Sequence, residues 1–117
     1  MIAFHGDPKV MIATQPVDFR RGVHGLVALV AGALSADPYC GDLFVFRSKR
    51  MDRIKIVAWD GSGMILLTKW LEEGRFTFPP VRDGAVHLSP AELSVLMSGL
   101  DWTRVGSQAV KKPSKVA

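Results

Sequence analysis

The feature that most constrains the fold is the stretch from Leu43 to Trp70, where apolar residues alternate with polar ones or form short runs. Aliphatic, β-branched and aromatic residues in such runs favour strands. Short segments rich in polar residues and glycine interrupt the stretch, and strands joined by turns this short pair antiparallel. The sequence therefore predicts an antiparallel meander with four strands, at residues 43–47, 53–59, 64–70 and 75–78.

Further elements are predicted on both sides of the meander. Residues 9–14 indicate a short strand that Pro16 stops. A helix is expected to begin after Asp18, which would cap it, and to end before Asp37. Ser89 and Pro90 are typical of a second, short helix start. We therefore predict an α+β domain: an antiparallel sheet, made of the N-terminal strand and the four-strand meander, covered by one long helix, with a short C-terminal helix. The predicted apolar face of the long helix comprises Val23, Leu26, Val27, Val30 and Leu34.

The net charge of +4 is not spread over the chain. Residues 103–117 carry four basic residues and no acidic one, whereas residues 1–102 carry 11 basic and 11 acidic residues. With 48% apolar residues the chain can bury a real core. We predict a single accessory-protein domain at 1–102 and a basic flexible tail at 103–117, which acts either as a phosphate-binding arm or as a solubilising segment.

The sequence also favours a cytoplasmic protein. The N-terminal residues lack the basic and apolar regions of a secretory signal. No apolar run reaches the roughly 18 residues that a membrane-spanning helix needs. A single cysteine, Cys40, cannot form an internal disulfide, which fits a reducing compartment.

Basic residues cluster on the first predicted hairpin, where only Asp52 opposes them. A five-residue loop at 48–52 would put the charged residues of both strands on one sheet face. Such a face fits a nucleic-acid backbone, and the alternative is an ordinary solvated sheet face. The predicted nucleic-acid-binding residues of this hairpin are Arg47, Lys49, Arg50, Arg53 and Lys55.

Arg20 and Arg21 form a second candidate site at the predicted first turn of the long helix. Positive charge at a helix N-terminus opposes the helix dipole, so these residues are expected to serve another purpose. One interpretation is an anion held jointly by the helix N-terminus and the two arginines. The alternative is a salt bridge between Asp18 and Arg21 that stabilises the turn.

Catalytic signals are weak. Asp18, Asp60 and Asp101 could suggest a metal-binding acidic triad, but each has a structural interpretation as a cap, a turn or a helix end. The histidines are scattered without ligand spacing, so no catalytic residue, metal or cofactor is predicted. The aromatic residues are expected in the core rather than as a base-stacking platform. They are Trp59, Trp70, Trp102, Phe44, Phe46, Phe76 and Phe78.

Six segments in order resemble one protein family. They read ATQPVDFRRG with Gly25 and Leu26, LFVFR with DRIKI, WDGSG, KWLE, GRF, and LSPAEL with GLDW. Together they span about residues 10 to 102 and resemble the TnpB (Orf2-like) accessory proteins encoded in bacterial insertion sequences of the insertion sequence 66 type.

The resemblance implies an accessory role in transposition, beside a separate, larger transposase. It transfers no catalytic residue. We therefore predict a non-catalytic accessory protein that contacts DNA, the transposase of the same element, or both. The alternatives are a protein–protein adaptor that never touches DNA and a small metal-dependent nuclease. The sequence leaves the oligomeric state open.

Overall fold

The computed structural model describes residues 7–79 and 86–99. Five strands and two helices follow one another in the order β1, α1, β2, β3, β4, β5, α2. Their bounds are β1 Val10–Ile12, α1 Val23–Gly32, β2 Leu43–Arg47, β3 Arg53–Trp59, β4 Met64–Trp70, β5 Val86–Leu88 and α2 Pro90–Met97. The bounds of β2, β3 and β4 are those that the pattern of apolar residues and turns predicts.

The sheet is mixed, with strand order β4-β3-β2-β1-β5. β2, β3 and β4 form an antiparallel meander, but β1 pairs parallel to β2. The predicted all-antiparallel sheet is therefore wrong. Its error lies in the 30 residues between β1 and β2, which include α1 and carry the chain back over one sheet face. A connection of that length allows parallel pairing, which no short turn can do.

The expected strand at 75–78 is also wrong: that segment is irregular, although Phe76 is buried and its backbone N–H donates to the carbonyl of Met51 at 2.6 Å. The sheet instead gains β5, which pairs antiparallel with β1. The sheet therefore ends in a short strand on one side and in the seven-residue β4 on the other.

Both faces of the sheet bury apolar residues. On one face, Leu26 and Val30 of α1 pack with Phe44 and Phe46 of β2, which are each 1% exposed, and with Val57. Full burial of a side chain of this size contributes about 1.5–3 kcal/mol. On the other face, α2 and Phe76 cover a second cluster. It includes Val10, Ile12, Val45, Ile54, Ile56, Leu93 and Leu96.

Helix α1 is shorter than predicted, with ten residues, and it begins at Val23. Gly22 is its N-cap, and no side chain caps it. The predicted cap, Asp18, accepts instead from the backbone N–H of Arg20 at 2.9 Å, so it closes a turn ahead of the helix. The helix ends before Asp37 because Ser35 takes a φ of 50°, outside the helical region.

Helix α2 confirms the predicted start. Ser89 accepts from the backbone N–H of Glu92 at 3.1 Å, and the Glu92 carboxylate accepts from the N–H of Ser89 at 3.0 Å. This reciprocal pair satisfies two of the free N–H groups at the helix start. At the other end the Lys69 ammonium donates to the carbonyl of Met97, which ties α2 to β4.

Within the described residues, no helix is both long enough and apolar enough to cross a membrane. The predicted division between residues 102 and 103, the tail itself, Trp102 and Asp101 lie outside the described residues. The two-part organisation of the chain therefore stays a prediction.

Candidate nucleic-acid interface

The register of the β2–β3 hairpin decides where its basic side chains point. Arg47 pairs with Ile54 and Phe46 pairs with Lys55. The backbone N–H of Ser48 donates to the carbonyl of Arg53 at 3.1 Å, so only the four residues 49–52 form the turn. A turn of four residues instead of five shifts the pairing by one position. Such a shift moves one strand's side chains to the other face.

The expectation that the hairpin cations share one face is therefore wrong. Arg47 lies on the face that α2 covers, and Arg53 and Lys55 lie on the face that α1 partly covers. Arg47 has a structural environment: its guanidinium donates to the carbonyl of Thr14 at 3.2 Å and lies 5.9 Å from the ring centroid of Phe78. These contacts tie β2 to the segment that leaves β1.

Lys55 also makes structural contacts, because its ammonium holds the chain segment ahead of α1. It donates to the carbonyls of Phe19, at 2.6 Å, and Arg21, at 2.9 Å. It also lies 4.8 Å from the ring centroid of Phe19, a cation–π distance. A cation on β3 therefore positions the segment that carries Arg20 and Arg21.

The basic side chains at the hairpin tip are the most available ones. Lys49 and Arg50 are exposed, and neither side chain makes a hydrogen bond or ion pair with any residue in 7–79 or 86–99. Arg75 is exposed beside them, because the neighbouring Phe76 bonds to Met51 of the tip. Arg53, the first residue of β3, is exposed and lies 5.8 Å from the ring centroid of Trp70.

Arg20 and Arg21 precede α1, so the expectation that they occupy its first turn is wrong. The ion pair here joins Arg20, not Arg21, to Asp18, with 2.7 Å between Nη2 and Oδ2. This pair and its hydrogen bonds hold the pKa of Asp18 well below its usual range and raise that of Arg20. Arg21 is exposed next to them and also lowers the pKa of Asp18 through its charge.

These residues gather at one end of the sheet, where β2 ends, β3 begins and β4 ends. We call this region the basic end. Nine basic residues and four acidic ones lie there. The basic ones are Arg20, Arg21, Arg47, Lys49, Arg50, Arg53, Lys55, Lys69 and Arg75, and the acidic ones are Asp18, Asp52, Glu72 and Glu73.

The opposite end of the sheet, which we call the acidic end, carries Asp37, Asp42 and Asp60, with Lys9 beside Asp42. Each carboxylate accepts backbone hydrogen bonds. Asp42 accepts from the N–H of Lys9 at 3.0 Å and Asp37 from that of Tyr39 at 2.9 Å. Asp60 accepts from two N–H groups in the β3–β4 turn, at 2.8 and 2.9 Å, which lower its pKa.

The carboxylates that could suggest a metal site are far apart. Asp18 is at the basic end and Asp60 at the acidic end, separated by the length of β3, about 20 Å. Asp101 lies outside the described residues. Within the described residues, no group of three or more His, Cys, Asp or Glu side chains is placed to hold a metal ion.

Two features of this end escape sequence reasoning. Trp70 is 62% exposed, so the expectation that it lies in the core is wrong, whereas Phe44, Phe46 and Phe76 are buried as expected. Arg75 is absent from the predicted site residues, which come from the β2–β3 hairpin and from Arg20 and Arg21 alone. Their positions along the chain are what could have indicated them: Trp70 ends an edge strand, and Arg75 follows the turn after it.

The fold and this surface define a small α+β protein whose central sheet is basic at one end and acidic at the other. Residues 8–107 match the family described as IS66 Orf2 like protein, and the chain belongs to that family. Its role is therefore associated with the transposition of an insertion sequence.

Two relatives are similar along nearly their whole length, and both are from Sinorhizobium fredii (strain NBRC 101917 / NGR234). The uncharacterized protein y4jC is 69% identical over 109 residues, covering 93% of each chain. The uncharacterized protein y4hO is 42% identical over 108 residues, covering 92% of each chain. No solved structure matches the chain.

Proposed function

We propose that this protein assists transposition as a non-catalytic accessory factor that contacts DNA with its basic end, beside the transposase of the same element. The observation that carries this proposal is the surplus of exposed cations at one end of the sheet. Lys49 and Arg50 are exposed and have no partner in the described part of the chain. Like charges gathered without compensation repel one another, and an external polyanion relieves that repulsion.

The shape of the basic end supports a backbone contact. The hairpin tip projects Lys49 and Arg50 from a ribbon of two strands, and Arg53 follows directly on β3. Arg20 and Arg21 lie on the segment that Lys55 fastens to the same strand. Contacts of this kind, made by arginine and lysine to phosphate oxygens, position a protein on DNA without reading its sequence.

The positions of the carboxylates support a non-catalytic role. Two-metal nuclease sites need ions about 3.5–4 Å apart, held by converging carboxylates. Asp18 and Asp60 lie about 20 Å apart by strand length, and each is engaged in its own turn. We therefore assign the cutting and joining of DNA to the transposase and not to this chain.

One observation favours the alternative, a protein adaptor for the transposase. β4 is an edge strand with exposed apolar residues, including Leu66 at 36% and Leu67 at 41%. Edge strands in monomeric proteins are usually protected by charges, bulges or proline, and the only charge on β4, Lys69, bonds to Met97. Adaptor and DNA-binding roles use different surfaces, so one experiment separates them.

The experiment compares a double variant, Lys49→Ala with Arg50→Ala, with the control Lys9→Ala, which removes a base from the acidic end. Binding of each protein to a duplex is measured from about 50 to about 200 mM salt. We expect the double variant to weaken binding and to flatten the salt slope by about one unit for each phosphate interaction that it removes. Lys9→Ala should retain both affinity and slope.

Circular dichroism and urea unfolding check that both variants keep the fold. Unchanged binding in a folded double variant would contradict DNA contact through the basic end. A wild-type protein that binds the transposase but no duplex at low salt would favour the adaptor role.

A further inference from the structure

Trp70 is the most exposed large apolar side chain in the described part of the chain. It is the last residue of β4 and lies directly across from Arg53 of β3. Its ring is on the sheet face that α1 covers only partly, since α1 packs over Phe44, Phe46 and Val57. The Arg53 guanidinium lies over one face of the ring, 5.8 Å from its centroid, and the rest of the ring surface faces solvent at the basic end.

A cleft lies beside this ring, between the segment ahead of α1 and the paired ends of β3 and β4. Its volume is about 310 Å³, at the lower end of the range of roughly 300–1,000 Å³ for ligand pockets. The cleft is lined by Asp18, Phe19, Arg20, Arg53, Lys55, Thr68 and Trp70.

The wall of the cleft opposite the strands is held in place by Lys55. Its ammonium bonds to two carbonyls of the segment and contacts the Phe19 ring, so Phe19 is held in place on the other side of the cleft from Trp70. Rigid aromatic side chains offer a stacking surface with little ordering cost.

The charge around the cleft is positive. Asp18 is neutralised by its ion pair with Arg20, whose side chain is 91% exposed. This pairing leaves Arg53 and Lys55 as the uncompensated charges of the lining, with Arg21 adjacent. An apolar protein partner would gain nothing from these positive charges. A nucleotide, in contrast, has a base that can stack on the Trp70 ring and a phosphate that can pair with the cations.

We propose that this cleft binds an unpaired base of single-stranded DNA, stacked on Trp70, with a neighbouring phosphate held by Arg53. The inference rests on the proposed function, in which the basic end contacts DNA. A duplex cannot supply an unpaired base, because each of its bases is stacked between its neighbours. The site therefore selects DNA that is already single-stranded.

The test measures the affinity of the full-length protein for three probes at one low salt concentration. They are an oligothymidylate of about 12 nucleotides, an abasic oligonucleotide of equal length, and a duplex of equal length. The variants are Trp70→Ala and Trp70→Phe. The matched control is Trp59→Phe, a half-buried tryptophan at the acidic end that stacks edge-on against Tyr39 at 5.4 Å.

We expect Trp70→Ala to weaken binding to oligothymidylate by about fivefold to a hundredfold. It should leave abasic and duplex binding within about twofold, since those probes offer no free base. Trp70→Phe should retain most of the affinity, and Trp59→Phe all of it. Quenching of tryptophan fluorescence by oligothymidylate should be reduced in Trp70→Phe and retained in Trp59→Phe.

Three results for the Trp70→Ala variant would overturn the inference. The first is unchanged oligothymidylate binding in a folded Trp70→Ala variant. The second is an equally weakened affinity for the abasic probe, which would reduce the role of Trp70 to shape. The third is a change in molecular mass of Trp70→Ala by sedimentation, which would place Trp70 in an interface between copies of this chain.

If duplex binds but oligothymidylate binds no tighter than the abasic probe, only this inference fails. If no probe binds, the proposed function fails with it.

Discussion

The two ends of the central sheet are built from the same three strands, yet they use their charges differently. At the acidic end, Asp37, Asp42 and Asp60 each accept backbone hydrogen bonds in the loops that they close. At the basic end, Lys55 performs a comparable structural task, but Lys49 and Arg50 have no partner among the described residues. A charged side chain that completes a turn has a role in the fold. A charged side chain without such a structural role is the better candidate for a binding function.

The largest expected effect on stability concerns Lys55, the structural cation of the basic end. Lys55→Met keeps the apolar stem but removes two charge-assisted hydrogen bonds to the carbonyls of Phe19 and Arg21. We expect a decrease of about 2 kcal/mol in the free energy of unfolding, measured by urea denaturation. The matched control Arg53→Met, two residues earlier on the same face, should be destabilised by well under 1 kcal/mol. Equal destabilisation in both variants would remove the distinction between structural and available cations.

A smaller effect is expected at the acidic end from Asp60→Ala, which removes the acceptor of the β3–β4 turn. The pKa of Asp60 is lowered in the folded protein by the N–H groups of Ser62 and Gly63. Its stabilising effect is therefore fully present above the ordinary aspartate pKa of about 4 and is lost as the pH falls through the lowered folded-state value.

The urea midpoint of Asp60→Ala should accordingly lie below that of the wild type at neutral pH, and the gap should narrow as the pH falls below about 4. Asp60→Asn, which keeps an oxygen acceptor, should fall between the two. A gap that is constant with pH would show that the ionised carboxylate contributes nothing to the turn.

The smallest effect is expected from the acids that accompany the basic end. Glu72→Gln with Glu73→Gln leaves an exposed turn intact but removes two negative charges near the hairpin tip. Duplex affinity should rise by about two- to fivefold at low salt, and the difference should vanish at high salt because screening shortens the range of the interaction. A gain that persists at high salt would indicate a direct contact instead of a field effect.

Local sequence signals account for much of this fold. β3 follows from two-residue alternation, β2 and β4 from short apolar runs bounded by turns, and α2 from the reciprocal bonds of Ser89 and Glu92. β5 could not be predicted in this way, because three residues, Val86–Leu88, form a strand only by pairing with β1, more than 70 positions earlier. The same limit applies to the parallel pairing of β1, which depends on where α1 carries the chain.

The sequence predicts the candidate site as a set of residues but not as an arrangement. Lys49, Arg50 and Arg53 are exposed together, whereas Arg47 pairs on the opposite face. The composition of a hairpin sets its net charge, but the pairing register sets which side chains share a face of the sheet. A difference of one residue in the length of the turn changes that register. Similarly, only the position of β4 at the sheet edge exposes Trp70.

The four-residue turn at 49–52 has a consequence for how this family can change its length. Adding or deleting one residue there would exchange Arg53 and Lys55 with Ile54 and Ile56, placing charge in the core under α2 and isoleucine toward solvent. A single insertion would be tolerated only as a β-bulge, whereas a change of two residues leaves every side chain on its original face of the sheet. Length variation among relatives should therefore come in even steps at this hairpin, and odd steps should fall in the connection between α1 and β2, which sets no hairpin register.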